Sequence, residues 1–144
     1  MSTTGNSATL SSKLEIGDDS VFTVRRAPQG FAALLGDIGS AVWQHSLLAP
    51  LDLIVSFQTL RSVLQSEWPT LTEAAQPSGS IWVAWPREGS GTPTDLDEAL
   101  VRKLATRNRW VVTKACSIDG TWDALRFTQE PERLRPKDQA KRRR

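Results

Sequence analysis

Arg87, Ser90, Thr92, Thr94 and Asp95 share one loop, the stretch Pro86–Asp95 between an apolar run and a helical pattern. A guanidinium, three hydroxyls and a carboxylate held together can bind an anion. They can also share acid–base work around a developing charge. Asp119, Thr121 and Trp122 form a second polar group further along, Glu88 joins the first, and Trp85 offers an apolar wall. The helix that begins at Leu96 aims its free N–H groups toward the same region, which favours negative charge. A plainer account covers the same residues: Thr94 and Asp95 cap the helix, Asp119 makes a turn, and the tryptophans are core.

Other chemistry is thin. His45 is the only histidine and Cys116 the only cysteine, too few for the usual zinc ligand sets. Cys116 falls in a strand, where a buried structural thiol is expected. Asp95, Asp97 and Glu98 suit a helix N-terminus without a catalytic role. No phosphate-cradling lysine loop is present. The first turn, Ala27-Pro28-Gln29-Gly30, holds one glycine where dinucleotide and methyl-donor enzymes use several to bring backbone close to the ligand. Pro28 also removes a donor, and the second strand ends near His45 with no carboxylate for a ribose. The expectation is therefore no cofactor: no S-adenosylmethionine, NAD or FAD, and no metal.

The elements that position these loops can be traced in order. Residues up to Ser12 are rich in Ser, Thr and Gly and read as a disordered leader. Val21–Arg26 is a short β-branched strand. Phe31–Leu35 starts a helix that Gly36 and Gly39 stop, and Ala41–His45 is a weak strand. Leu51–Phe57 is apolar on both faces, as in parallel sheets covered by helices. Thr59–Ala75 carries Leu60, Val63, Leu64, Trp68 and Leu71 at helical spacing, with Pro69 expected to end or kink the helix. Pro77-Ser78-Gly79 reads as a turn into a central strand, Ile81–Trp85.

A helix over Leu96 to about Arg107 buries Leu96, Leu100 and Leu104, with Asp95 and Glu98 as its capping pair and Thr94 with Asp97 as a competing frame. Trp110–Ile118 and Trp122–Thr128 are strands joined at Asp119-Gly120, a hairpin signal. Trp82, Trp85, Trp110 and Trp122 fall in or beside strands, so they suit core packing better than base stacking. Alternating strands and helices predict an α/β, three-layer Rossmann-like fold with a mostly parallel sheet. The expected strand order is 2-1-3-4-6-5, with strand six antiparallel, as at the end of a class I methyltransferase-type sheet. In such sheets ligands bind beyond the carboxyl ends of the strands, where the loops Ala27–Gly30, Pro86–Asp95 and Asp119–Trp122 meet.

The 144 residues, 39% hydrophobic and 24% charged, suit one soluble domain over residues 13–130. From Pro131 onward seven basic residues oppose two acidic ones, so this tail carries +5 of the chain's net +2 and the rest is mildly acidic. A solubilising disordered tail is the plain reading, and nucleic acid is a partner only through it. No apolar run reaches the ~20 residues of a membrane span, and no signal peptide opens the chain, so the expected location is cytoplasmic.

Several stretches together resemble one family. They are Ala27-Pro28-Gln29-Gly30-Phe31, Trp82-Val83-Ala84-Trp85-Pro86, Thr94-Asp95-Leu96, Val101-Arg102, Lys114–Trp122 and Leu125-Arg126-Phe127. They are similar to an uncharacterised bacterial family, domain of unknown function three-zero-five-two, over about Lys13 to Thr128. The resemblance implies a small cytosolic bacterial protein and supplies no activity. Arg87-Glu88 stands where relatives often carry two lysines, and Trp122-Asp123-Ala124 where they often read Trp-Ser-Gly. Both changes make the loop edge less basic. The reading that results is a non-catalytic binding or interaction module for a protein or a small anionic ligand. Candidate ligand contacts are Arg87, Ser90, Thr92, Thr94, Asp95, Asp119, Thr121 and Trp122. The alternatives are a small enzyme with Asp119 or Asp95 as acid or base and Arg87 holding charge, and nucleic-acid association through the tail.

Overall fold

Leu51–Phe57 is buried at every position but Asp52, and it lies inside the sheet. The structure, a computed structural model, describes residues 9–48, 50–106 and 109–130. Residues 1–8 of the expected leader and all of the expected tail, 131–144, lie outside them. The strands are β1 (Val21–Arg25), β2 (Val42–Trp43), β3 (Leu51–Phe57), β4 (Ala75–Pro86), β5 (Trp110–Ser117) and β6 (Trp122–Gln129). They form one six-stranded sheet in the order β2-β1-β3-β4-β6-β5. The first four pair in parallel, and β6 runs antiparallel to both β4 and β5. This is the expected fold class and strand order.

Among the described residues, four helices cover the two faces: α1 (Leu10–Lys13), α2 (Phe31–Leu35), α3 (Arg61–Ala74) and α4 (Glu98–Ala105). Beneath α3 and α4 lies one core, with Ile54, Leu64, Trp68, Ile81, Trp85, Val101 and Phe127. Beneath α1 and α2 lies the other, with Leu14, Phe22, Phe31, Phe57 and Trp82. Helices on both faces of a parallel sheet explain why β3 and β4 are apolar all round.

The structure departs from the sequence reading in four places. Regular structure is present before the expected boundary: Leu10–Lys13 is a helical turn capped by Thr9, with Leu10 and Ser11 buried. Pro69 sits inside α3 without ending it. It is exposed, so the carbonyl it leaves without a donor faces water, while buried Leu64, Trp68 and Leu71 hold the helix on either side of it. Pro77-Ser78-Gly79 is part of β4: Leu51 pairs with Ala75 and Leu53 with Ser80, so the extra residues form an irregularity in the strand. Finally, α4 begins at Glu98, because Asp97 takes the cap and accepts the Leu100 N–H at 2.8 Å. Among the described residues no helix is long and apolar enough to cross a membrane.

Candidate functional site

Thr94 and Asp95 do not cap their own helix. Thr94 Oγ1 donates to the Thr59 carbonyl at 2.7 Å and accepts the Leu96 N–H at 3.0 Å. Asp95 accepts the Arg61 N–H at 2.7 Å, and its own N–H reaches the Thr59 carbonyl. Leu60, at the N-cap of α3, offers no side-chain bond, so the loop after β4 caps the helix after β3. Asp95→Ala is expected to lower unfolding free energy by about 1 kcal/mol, with Asp95→Asn keeping most of it. Urea midpoints of the two variants check this, and equal losses would mean that the carboxamide cannot replace the cap.

Arg87 is committed to the β5–β6 hairpin. Its guanidinium donates to Asp123 at 2.7 Å, Ser117 Oγ at 2.9 Å and the Asp119 carbonyl at 3.0 Å. Burial pushes the Asp123 carboxyl up, but hydrogen bonds from Arg87 and Ser117 and the charge of Arg87 outweigh that, and it is held below the usual carboxylate range. Asp119 makes the turn, accepting the Thr121 and Trp122 N–H groups at 2.8 and 3.0 Å. Ser90 Oγ accepts the Thr92 N–H at 3.3 Å. Trp122 packs edge-on to Phe57 at 5.0 Å.

A cleft of about 620 Å³ opens between the loop after β4 and β6. Of the eight candidate contacts, Arg87, Thr92 and Thr94 line it; Ser90, Asp95, Asp119, Thr121 and Trp122 do not. Trp85, Pro86 and Leu96 supply apolar wall, and the other charged groups are Glu88, Asp97, Glu98 and Asp123. Four carboxylates around one paired arginine do not favour an anion. Cys116 is half-buried, and burial raises its thiol, the opposite of what a thiolate nucleophile needs. His45 is exposed and stacks on Trp43 at 5.3 Å. Among the described residues no three His, Cys, Asp or Glu side chains gather as a metal site.

The strand order reverses between β1 and β3: β1 leads outward to β2, β3 leads the other way to β4, and α2 and α3 lie on opposite faces. In open α/β sheets this switch point is where ligands bind. It holds residues the sequence reading passed over. Arg26 follows β1 with φ 57°, in the left-handed region, which costs a side-chain-bearing residue about 1 kcal/mol. Its guanidinium grips Glu67 of α3 with two bonds of 2.7 and 2.6 Å, and Arg25 stands 3.6 Å from the same carboxylate. Hydrogen bonds from Arg26 lower the Glu67 carboxyl from 4.5 to about 2, with Gln58 and the charges of both arginines adding to this against the opposing effect of burial.

Gln58, buried just beyond β3, completes the group. Its Nε2 donates to Ser56 Oγ at 2.7 Å and to Glu67 Oε1 at 3.0 Å. A carboxylate only accepts, so this fixes the amide with its nitrogen toward Glu67. Among the described residues Gln58 Oε1 is then a buried acceptor with no donor, and Arg25 Nε a buried donor with no acceptor. The turn Ala27–Gly30 stands beside them. Gly30 has φ 85° and nothing within 4 Å of where a Cβ would stand. Phe31, Phe57 and Trp122 pack edge to face beneath this edge, at 5.2 and 5.0 Å. One signal for the site was in the sequence: Ser56 and Gln58, alternate polar residues at the end of an apolar strand, opposite the end of a strand closing in Arg25-Arg26.

No family model matches the chain, and no curated protein matches it. Solved structures do. The chain is similar to the 1,6-didemethyltoxoflavin-N1-methyltransferase of Burkholderia thailandensis, with TM-score 0.61 and 8% identity over 85% of this chain and 77% of that one. That structure holds S-adenosylhomocysteine. An S-adenosylmethionine-dependent methyltransferase of Aquifex aeolicus gives TM-score 0.57 and 12% identity over 81% and 88%. The tRNA methyltransferase TrmK of B. subtilis gives 0.55 and 10% over 88% and 67%. At such identities the likeness is one of fold. It corrects the reading of a non-catalytic binding module. That reading rested on converging loops without a catalytic set and on the missing nucleotide-cofactor motif, whereas these three structures of the same fold are methyltransferases. The number of glycines in one turn does not separate this chain from the fold of those structures.

Proposed function

We propose that the chain is an S-adenosylmethionine-dependent methyltransferase that holds its cofactor at the switch point between β1 and β3. The observation that carries this reading is Gln58 Oε1, a buried acceptor left without a donor at that point of a sheet shared with methyltransferases. Three features fit the group. Gly30 leaves room for close approach of backbone. Gln58 offers an acceptor to an amine or hydroxyl. Trp43 and His45, stacked at the end of β2, offer a flat face to a base. One feature departs: no carboxylate ends β2, so ribose hydroxyls must find other acceptors. When bound, the cofactor supplies an electrophilic methyl group; the chain's own residues bind and orient it. Under the same proposal the chain is a cytoplasmic bacterial protein of the family it resembles in sequence, folded as one unit that takes in the turn Leu10–Lys13 and ends near residue 130.

Calorimetry with S-adenosylhomocysteine tests this. Binding is expected, and Gln58→Leu and Gly30→Val should each weaken it about tenfold or more. No heat and no thermal shift at about 1 mM, the upper end of ordinary enzyme affinities, would overturn the proposal.

A further inference from the structure

The cleft beside the loop after β4 has a charge pattern suited to a cation. Its one lining cation, Arg87, already donates to Asp123, Ser117 and the Asp119 carbonyl. Glu88, Asp97 and Glu98 remain on the wall, and all three are exposed. Asp97 gives one oxygen to its own helix, and Glu98 pairs with Arg102, which does not line the cleft. Glu88 has no partner among the described residues. Past Trp85, Glu98 and Asp123, which it shares, the cleft runs on into a hollow of about 250 Å³ lined by Ala115, Ala124 and Leu125. The carboxylates are thus strung along a trough that also has an apolar stretch. Among the described residues no three acidic, histidine or cysteine side chains gather at one point. A spread of this kind suits several separated charges and not one metal ion, which needs its oxygens converging.

The trough adjoins the switch point. The Gln58 N–H donates to the Ala84 carbonyl at 2.8 Å, next to Trp85, and Thr94 of the cleft holds the Thr59 carbonyl at 2.7 Å. Gln58 is itself 1% exposed, and its Oε1 lacks a donor among the described residues. The two residues that follow β3 therefore join the buried acceptor to the trough.

We propose that this trough binds a linear aliphatic polyamine, its ammonium groups facing Glu88, Asp97 and Glu98 and its methylene run toward the hollow. Charges spaced along a chain match carboxylates spaced along a wall, and the methylenes between them gain by leaving water. The role of this amine rests on the methyltransferase reading above: it is the methyl acceptor beside the cofactor. One amine nitrogen gives its proton to water, and its lone pair then forms a bond to the sulfonium methyl carbon. The carbon–sulfur bond breaks as that bond forms, and its electron pair stays on sulfur.

The test is calorimetry on the full-length protein at about 0.15 M salt, with spermidine as the probe, alone and with S-adenosylhomocysteine. Saturable binding is expected with Kd below about 1 mM. Glu88→Gln combined with Glu98→Gln should weaken it about fivefold or more, as the loss of two exposed ion pairs would. Glu73→Gln removes an exposed charge at the far end of α3 and should change nothing. Absence of saturable binding at about 10 mM, ten times that limit, overturns the proposal. Equal weakening by Glu73→Gln also overturns it, because the amine would then be held by the acidic surface at large. Spermidine binding without S-adenosylhomocysteine binding supports the amine site and removes its role as acceptor. The reverse result removes the amine site and leaves the cofactor reading in place.

Discussion

Trp82→Ala is expected to lower the free energy of unfolding by about 4 kcal/mol, a large part of what a domain of this size has. Among the described residues Trp82 is the largest fully buried side chain, on the central strand β4, between Val55 of β3 and Arg126 of β6 in register. Its indole fills the core beneath α1 and α2, and no neighbour there can collapse into the space without leaving its own contacts. The indole N–H also donates to the Leu14 carbonyl at 2.9 Å. That bond ties the segment after α1 to the middle of the sheet. Trp82→Phe separates the two effects. It keeps most of the ring but leaves the Leu14 carbonyl buried and unpaired, at a cost of about 2 kcal/mol. Urea unfolding of both variants gives the values. If phenylalanine is tolerated within about 0.5 kcal/mol, the bond to Leu14 adds nothing and only the packing holds the N-terminal turn.

Most of the sheet was legible in the sequence, and for a physical reason. Asp119-Gly120 between two runs that read as strands forces an antiparallel pair, and apolar runs at Leu51–Phe57 and Ile81–Trp85 force a buried, helix-covered position. Those two constraints leave few strand orders. Of the two outcomes expected at Pro69, an end or a kink, the helix does not end there, because sequence shows a missing donor but not which side of the helix faces water. The caps failed for a related reason. Asp97, Asp95 and Thr94 are all good cap residues, and only the fold decides that Asp97 serves α4 and Asp95 serves α3.

The candidate site was the least legible part. Arg26, Gln58 and Glu67 are far apart in the chain, and each is chemically ordinary where it stands. Glu67 reads as the wet face of an amphipathic helix until α3 lies over the end of β3. The loop after β4 drew attention because its polar residues are consecutive, yet their hydrogen bonds fasten loops to one another. Two buried polar atoms without a partner among the described residues, Arg25 Nε and Gln58 Oε1, lie at the reversal of strand order, which only the assembled sheet defines.

Glu67→Ala is the second change with a large expected effect, about 3 kcal/mol at neutral pH. The Glu67 carboxyl is lowered from 4.5 to about 2 in the folded chain. A carboxylate whose folded value is depressed contributes stability that is fully present above its unfolded value. That contribution falls away as pH drops from about 4.5 toward 2. The side chain is largely covered, 19% exposed, so solvent screening removes only part of it. Its loss also leaves Arg25 and Arg26 without their counter-charge and takes one of the two acceptors from the Gln58 amide, which keeps Ser56. It frees the left-handed backbone at Arg26 from the pair that holds it. Glu67→Gln keeps the shape and loses the charge, so it should cost less, about 1 to 2 kcal/mol. The pH dependence distinguishes a charge effect from a packing effect. The gap in stability between wild type and Glu67→Gln should be wide at pH 7 and narrow steadily below pH 4.5. A gap that stays constant to pH 3 would mean that Glu67 acts by shape alone. Both variants should also release the Gln58 amide to turn. Weakened S-adenosylhomocysteine binding by Glu67→Gln at pH 7, where the protein remains folded, would then tie the arginine–glutamate pair to the cofactor acceptor it orients.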